Sequence, residues 1–392
     1  METLRTPYIA LALTLLAEGV ILAPPPFALT DHLVLWYVGH LVLTGSSPYE
    51  PAVWVAAASR FDSPHFTELA LAGGVGVWPY PPWTGFLFVP FGALPVEVGP
   101  WVLHLSYVIV GVAAGIILAR QVPWPGPGAY AAALVLFAAF QPFVIAARWG
   151  QFTAFLLAGM ALALHGRRSN SVGLVVVGVL LLSLKPSVTA LVGAAVVALL
   201  ISDRAWRTLA ATAAALALVV AVTWWRYPEW VATAATGATD RVAALGRFAG
   251  TLSLARDVAG EAWIVTAALL VLSAVAACAL SVLRAPAATR SLALIAAAAV
   301  TTLVLVPYLL WYDYILLVPA IYVALFAGYA RIGALRGVYA ATLVLVVTVG
   351  PWALYLVGIF RPTQALSGLV PLLFALLLLA STLGPRTSAG SS

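Results

Sequence analysis

Residues 172–200 read VGLVVVGVLLLSLKPSVTALVGAAVVALL, and Lys185 is the only charged residue among them. Pro186 divides the stretch into two apolar runs, because proline has no backbone N–H with which to continue a helix. Neither run alternates polar and apolar residues, as the strand of a membrane barrel would. The stretch therefore predicts two helices that lie in lipid and meet at a lysine.

The composition extends this prediction to the whole chain. Of the 392 residues, 64% are hydrophobic and 8% are charged, whereas soluble domains carry about 25% charged residues. No soluble fold has enough interior for so much apolar surface. Because lipid cannot satisfy an open backbone, the expected fold is an all-α polytopic membrane protein. The pI of about 9.6 reflects arginines in membrane loops, and no basic run points to nucleic acid.

Apolar runs mark the helices, and several are shorter than the about 20 residues that a span needs, as expected where helices stop at an internal cavity. The predicted helices occupy residues 8–24, 100–119, 130–147, 151–165, 171–184, 187–201, 206–224, 262–283, 289–306, 312–330, 337–357 and 364–383. The run at 83–94, interrupted by Pro90, is either a short span or a re-entrant element. The total is therefore about 12 or 13 transmembrane helices.

Loop arginines indicate the orientation. They fall at the N-terminus and on alternate loops: Arg5, Arg120, Arg167, Arg168, Arg204, Arg207, Arg284, Arg290, Arg331, Arg336 and Arg386. The positive-inside rule places these loops in the cytoplasm. The outer face then holds a first loop at 25–82, with interfacial helices, and a second loop at 225–261. We expect one integral membrane domain, residues 1–392, whose unusual polar residues collect on the outer side.

The first outer loop contains the segment TDHLVLWYVGHLVLTGSSPYEP at 30–51. Thr30 and Asp31 are suited to capping a helix that is too short to span and is expected to lie along the outer interface. Asp31 is then either only a cap or a general base at the membrane–water boundary, where a carboxylate is suited to accepting a proton. Tyr49 follows in a turn that, taken alone, is typical of an interfacial loop.

The other outer turns combine aromatic and polar residues. Tyr80 precedes two prolines in VWPYPPWTGFLFVP, and its ring fits either an aromatic belt or the face of a sugar. Arg148 and Gln151 lie at the tight turn ARWGQF. Lys185 is a costly cation near membrane depth, so it marks either a functional site or a snorkelling side chain, with a phosphate or a carboxylate as its natural partner. Asp313, in PYLLWYDYILLVP, is either a helix cap or part of the site.

Motifs of soluble enzymes are absent from the sequence. We find no phosphate loop, no nucleophile elbow and no spacing of histidines or cysteines that would bind a metal. The sequence therefore predicts neither a metal nor a cofactor. Cys278 lies in an apolar run and cannot form a disulfide within the chain, because it is the only cysteine.

The ordered set of segments resembles glycosyltransferase family 87, whose members are membrane enzymes of the GT-C fold. The segments are Asp31 after the first helix, then GSSPY, PYPPW, WGQF, LKPS and YDYILLVP. This resemblance implies a GT-C-type bundle and a sugar transferred from a polyprenyl-phosphate carrier, with inversion, to an acceptor hydroxyl. The family includes mannosyltransferases, so the resemblance implies mannose as the sugar. Arabinose or another pentose stays open.

The resemblance also implies roles for residues of this chain. Asp31 corresponds to the family's general base, and Lys185 and Arg148 are the candidates for contacting the donor phosphate. The remaining substrate-binding candidates are His32, Tyr49, Tyr80, Gln151, Asp313 and Tyr314. The chain departs from relatives in having WYDY in place of a WDHY-like turn, and in having His32 directly after Asp31.

The expected partners are the polyprenyl-phosphate sugar, a glycolipid or glycan acceptor and membrane lipids, with no nucleic acid. The expected setting is a monomer in a bacterial plasma membrane, with the active site facing outside. Two other functions stay open: a transporter or flippase of lipid-linked sugar intermediates, and a non-catalytic assembly partner. Paired broken helices with midplane charges, which a transporter would show, are largely missing from the sequence.

Overall fold

The computed structural model describes residues 27, 30–61, 63, 66, 78–233, 250–307, 309–329, 334–359 and 365–382. The structure is 83% helical, and the described residues include no strand. The prediction of an all-α polytopic membrane protein is confirmed. The predicted helix at 8–24 and the arginines Arg241 and Arg247 of the second outer loop lie outside the described residues.

The α-helices are numbered here in chain order. They are α1 (Asp31–Thr44), α2 (Pro51–Arg60), α3 (Pro82–Gly92), α4 (Gly99–Ala119), α5 (Pro127–Ala138), α6 (Gln141–Trp149), α7 (Thr153–Arg168), α8 (Val172–Leu182), α9 (Pro186–Ser202), α10 (Trp206–Arg226), α11 (Thr251–Ala259), α12 (Trp263–Arg284), α13 (Arg290–Leu305), α14 (Val318–Tyr329), α15 (Ala334–Val344), α16 (Gly350–Ile359) and α17 (Leu369–Thr382). Three-ten turns occupy Gly260–Ala262, Trp311–Leu317 and Ala365–Gly368, and Leu345–Val349 is a π-helical turn.

Among the described residues, six segments are long and apolar enough to cross a membrane. They are Gly99–Ala119, Trp206–Arg226, Thr251–Arg284, Trp311–Tyr329, Val338–Val357 and Ala365–Thr382. A seventh span results if α5 and α6 count as one. Helices α8, α9 and α13 are apolar but shorter. The expected total of about 12 or 13 spans stays a prediction.

The apolar run predicted at 130–147 is two helices rather than one. Helices α5 and α6 meet at a bend of 46°. Pro142 lies in the first turn of α6, where its missing N–H costs nothing, but the same residue prevents α5 from continuing. The bend directs α6 toward the turn that carries Arg148 and Gln151.

The run at 83–94 forms α3, an 11-residue helix with a length of about 16 Å, too short to cross the about 30 Å hydrocarbon core alone. It lies against α1, and two glycines make this close approach possible. A Cβ at Gly39 would lie 2.1 Å from the carbonyl oxygen of Phe88, and one at Gly92 would lie 2.2 Å from the backbone nitrogen of His40. Helices α1 and α3 thus form one short pair beside α4.

Contacts between turns define two ends of the bundle. At one end, Arg226 at the end of α10 donates to the carbonyl of Gly45, just after α1. At the other end, Arg167 at the end of α7 binds Asp203 after α9 and Ser291 at the start of α13. Helices α7 and α9 run from one end to the other. Their first residues, Thr153 and Pro186, follow the turns that carry Gln151 and Lys185, and their last residues lie near Arg167 and Asp203. The predicted cytoplasmic loops around Arg167, Asp203 and Ser291 and the predicted outer turn after α1 therefore lie at opposite ends.

Candidate active site

The centre of the candidate site is a buried ion pair between the two turns that the sequence marked with Lys185 and Asp313. Lys185 is 5% exposed, Asp313 is fully buried, and Nζ donates to Oδ1 at 2.5 Å. The second carboxylate oxygen, Oδ2, accepts the backbone N–H of Leu310 at 3.1 Å. Asp313 therefore caps its three-ten turn and also pairs with the lysine, and its substrate-binding role stays a prediction.

Two tyrosine rings flank the ammonium group of Lys185. Nζ lies 5.1 Å from the ring centroid of Tyr312 and 5.9 Å from that of Tyr80. Aromatic faces attract cations electrostatically, and the attraction grows when the cation is removed from water. The side chain thus contacts one carboxylate and two rings, and it does not reach the lipid surface as a snorkelling lysine would.

The PPWT segment supports the backbone around Lys185. Pro186 leaves carbonyls at the end of α8 without helical partners, and side chains of α3 bind two of them. Trp83 Nε1 donates to the carbonyl of Ser183 at 3.0 Å, and Thr84 Oγ1 donates to that of Leu184 at 2.8 Å. Two segments separated by 100 residues are therefore one structural unit.

Tyr80 is held in place from two sides. The hydroxyl of Tyr49 donates to its backbone carbonyl at 2.6 Å. The Phe152 ring meets the Tyr80 ring edge-on at 4.9 Å, and Phe152 follows the buried Gln151. Burial raises the pKa of Tyr49, and the charge of Glu229 raises it further, so its hydroxyl stays protonated as a donor. Tyr49 and Phe152 thus support Tyr80, and Gln151 is buried directly before Phe152.

Asp31 belongs to the same region. It is the first residue of α1 and is partly exposed. Its carboxylate and the hydroxyl of Tyr80 both interact electrostatically with the hydroxyl of Tyr107 in α4. The Tyr107 hydroxyl is buried and has no hydrogen-bond partner in the described structure. Tyr80 therefore lies near the Lys185 ammonium, and it shares the neighbourhood of the Tyr107 hydroxyl with the Asp31 carboxylate.

The sequence profile of glycosyltransferase family 87 matches residues 78–310, more than half of the chain. The chain belongs to glycosyltransferase family 87. No curated protein and no solved structure matches it. The family-87 match includes Tyr80, Arg148, Gln151 and Lys185, whereas Asp31 precedes the matched residues. Membership supports glycosyltransferase activity, and the apolar helices fit an integral, multi-pass membrane protein.

Two buried histidines beside Asp31 form a chain that the sequence did not predict for this family-87 protein. His32 Nδ1 lies 3.0 Å from Thr30 Oγ1, and its Nε2 lies 3.2 Å from Nδ1 of His104 in α4. The same His104 nitrogen lies 3.2 Å from the carbonyl oxygen of Ala147 in α6. Burial lowers the pKa of His32 well below its ordinary value, and His104 lowers it further. The chain therefore ties α1, α4 and α6 together.

The WGQF turn packs directly on this histidine chain. Gly150 ends α6 with φ of +76°, and a Cβ there would lie 2.5 Å from the backbone nitrogen of His32. Arg148 lies in the last turn of α6, partly exposed, where a cation is favourable at a helix C-terminus. The turn thus places Arg148 at the same end of the bundle as Asp31.

Tyr314, a substrate-binding candidate from the sequence, has the contacts of a residue that packs in the interior. Its side chain is fully buried, and its hydroxyl donates to the carbonyl of Ser367 at 3.0 Å. It therefore joins the Trp311–Leu317 turn to the Ala365–Gly368 turn, and its substrate-binding role stays a prediction. Within the described ranges, no group of three or more histidine, cysteine or carboxylate side chains is arranged to hold a metal ion.

Proposed function

We propose that this family-87 protein moves a sugar, with mannose as the first candidate, from a polyprenyl-phosphate carrier to an acceptor hydroxyl. The supporting observation is that Tyr80 lies near the buried ammonium of Lys185 and, together with the Asp31 carboxylate, near the Tyr107 hydroxyl. Transfer from such a donor needs a cation where the phosphate departs and a base where the acceptor arrives. Asp31 and Lys185 lie at the same end of the bundle. One bound sugar could therefore have the acceptor on its Asp31 side and the departing phosphate on its Lys185 side.

Asp31 accepts the proton of the acceptor hydroxyl, and the acceptor oxygen attacks the anomeric carbon. The bond from that carbon to the phosphate oxygen breaks, and the polyprenyl phosphate leaves with the electron pair. One displacement inverts the anomeric configuration and needs no carboxylate nucleophile, unlike a retaining glycosidase. Asp31 is the partly exposed carboxylate of the site, as a base that must meet an incoming substrate requires.

Lys185 neutralises the departing phosphate, with Arg148 as a second cation. Charge-assisted hydrogen bonds to phosphate are strong, and more so where water is scarce. In the structure the Lys185 ammonium binds the Asp313 carboxylate. When the donor binds, its phosphate therefore either shares the ammonium with Asp313 or replaces Asp313 as its partner. The rings of Tyr80 and Tyr312 flank the path and offer faces on which a sugar can stack.

We place this reaction on the outer face of a bacterial plasma membrane, with a glycolipid or glycan as acceptor and the chain acting as a monomer. The support is the separation of the ends: Arg167, in a predicted cytoplasmic loop, lies with Asp203 at the end of the bundle opposite the candidate site. We expect residues 1–392 to act as one domain, with 25–82 and 225–261 as the outer loops.

The test is a transfer assay with purified full-length protein. Lipid that co-purifies with the chain is identified by mass spectrometry, and polyprenyl-phosphate sugars of that chain length are offered with candidate acceptors. We expect a new glycosidic bond and one polyprenyl phosphate released for each sugar transferred. Movement of the lipid-linked sugar across vesicles without any new bond would contradict the proposal and favour a flippase.

A further inference from the structure

A groove of about 380 Å³ opens at the end of the bundle opposite the candidate site. It lies between the last turns of α4 and α7, which pack along each other. His104 of α4 contacts the candidate site, and the end of the same helix lies about 24 Å farther along its axis. The groove is lined by Ile117, Arg120, Gln121, His165, Arg168 and Ser169.

The groove carries positive charge that the described residues do not balance. Neither Arg120 nor Arg168 forms an ion pair with a carboxylate among them, and the only hydrogen bond of Arg168 there is a long one, 3.5 Å, to the carbonyl of Ala288. The nearby carboxylate of Asp203 is held by the neighbouring Arg167, whose Nη2 donates to Oδ1 at 2.8 Å. Two arginines thus face one groove without a carboxylate partner, which indicates an anionic ligand.

A second, independent feature indicates what else the ligand carries. Gln121 is 4% exposed, and its Nε2 donates to the carbonyl of Ile117 at 3.2 Å. Its Oε1 is buried and has no hydrogen-bond partner in the described structure. A buried acceptor without a donor is costly. An O–H group on the ligand would satisfy it, whereas a bare phosphate dianion has no proton to give.

We propose that this groove binds the headgroup of an anionic phospholipid with free hydroxyls, of the phosphatidylglycerol type. The phosphate meets the two arginines, and a glycerol hydroxyl donates to Gln121 Oε1. The ends of apolar helices form the groove, so its mouth lies where headgroups of that leaflet lie. The same chemistry exists in soluble glycerol phosphate, but the position at the helix ends favours the lipid. This site is separate from the proposed sugar transfer and does not depend on it.

The test reconstitutes full-length protein in nanodiscs of phosphatidylcholine with or without phosphatidylglycerol, and counts bound lipid by native mass spectrometry. Arg120→Gln with Arg168→Gln removes both charges. Arg207→Gln is the matched control, because Arg207 is exposed near the same end but does not line the groove. Since each arginine near an anionic surface is worth about fivefold in binding, the double variant is expected to lose about 25-fold in affinity for phosphatidylglycerol. Arg207→Gln is expected to keep it.

Gln121→Leu separates a specific headgroup site from general attraction to basic loops. It is expected to weaken phosphatidylglycerol binding while leaving unchanged the binding of phosphatidylethanol, a phosphodiester of the same charge that lacks the glycerol hydroxyls. The proposal is overturned if Arg207→Gln loses as much lipid as the double variant, or if Gln121→Leu has no selective effect. Soluble glycerol phosphate that raises the thermal midpoint as much as the lipid does would equally contradict a membrane-lipid ligand.

Discussion

Lys185 and Asp313, 128 residues apart in the chain, form a buried ion pair in which Nζ and Oδ1 lie 2.5 Å apart. The pair joins the break between α8 and α9 to the turn that precedes α14. A cation and a carboxylate at this depth stabilise each other only as a pair, since each alone would be a buried, uncompensated charge.

Removing one member of this pair should destabilise the fold strongly. We expect Asp313→Asn or Lys185→Met to cost about 3–5 kcal/mol of unfolding free energy, and the double variant to cost less than the sum of the two. The matched control is Arg167→Gln, which breaks the more exposed pair with Asp203 and should cost about 0–1 kcal/mol. Thermal denaturation of the purified variants measures all four. Additive single effects would show that the two charges do not depend on each other.

The junction between α3 and the Lys185 segment gives a second prediction. Thr84→Val removes the hydroxyl that binds the carbonyl of Leu184. The buried carbonyl then lacks a partner, which we expect to lower the unfolding free energy by about 1–3 kcal/mol. Thr342→Val is the control, because the Thr342 hydroxyl is exposed and bonds only within its own helix. Equal denaturation midpoints of the two variants would contradict this account of the junction.

The glycine contact between α1 and α3 predicts opposite effects for one substitution at two positions. At Gly39 an added Cβ meets the Phe88 backbone at 2.1 Å, so Gly39→Ala must push the helices apart and should cost about 1–3 kcal/mol or more. At Gly193 in α9 nothing lies within 4 Å, so Gly193→Ala should stabilise by about 0.5–1 kcal/mol. Thermal midpoints that move in the same direction would count against the packing described here.

The histidine chain predicts a loss of stability in acid. The pKa of His32 is lower in the folded protein than in the unfolded chain, because burial and His104 oppose its charge. The unfolded state therefore binds more protons as the pH falls below about 6.5, and His32's contribution, fully present above that pH, is lost toward its lowered pKa. We expect the thermal midpoint of wild type to fall more between pH 7 and pH 5 than that of His32→Asn. His165→Gln, at an exposed histidine, should behave like wild type.

Most helices followed from the sequence because lipid makes long apolar runs unambiguous. The run at 187–201 is α9, Pro186–Ser202, and the short helix expected to start at Asp31 is α1, which ends at Thr44. Two departures stand out: the run at 130–147, where Pro142 had signalled the bend but the apolar run on both sides hid it, and α11, Thr251–Ala259, which lies within the expected second outer loop.

The contacts within the site were less predictable than its location. The sequence predicted that the partner of Lys185 is a phosphate or a carboxylate. It could not identify Asp313 as that partner, because the two residues meet only in the folded chain. His104 and Tyr107 were missed, although an ionisable residue inside an apolar helix is a signal of function. Their roles depend on what α4 faces, and no periodic pattern in that uniformly apolar helix reveals it.

The most direct test of the central claim compares Asp31→Asn with Glu50→Gln, which changes an exposed carboxylate at the start of α2. Donor binding and single-turnover transfer are measured on the same preparations. The account predicts that Asp31→Asn binds polyprenyl-phosphate sugar as wild type does but transfers it about 10²–10⁴-fold more slowly, while Glu50→Gln does both normally. Transfer by Asp31→Asn within twofold of the wild-type rate would contradict the assignment of Asp31 as the base.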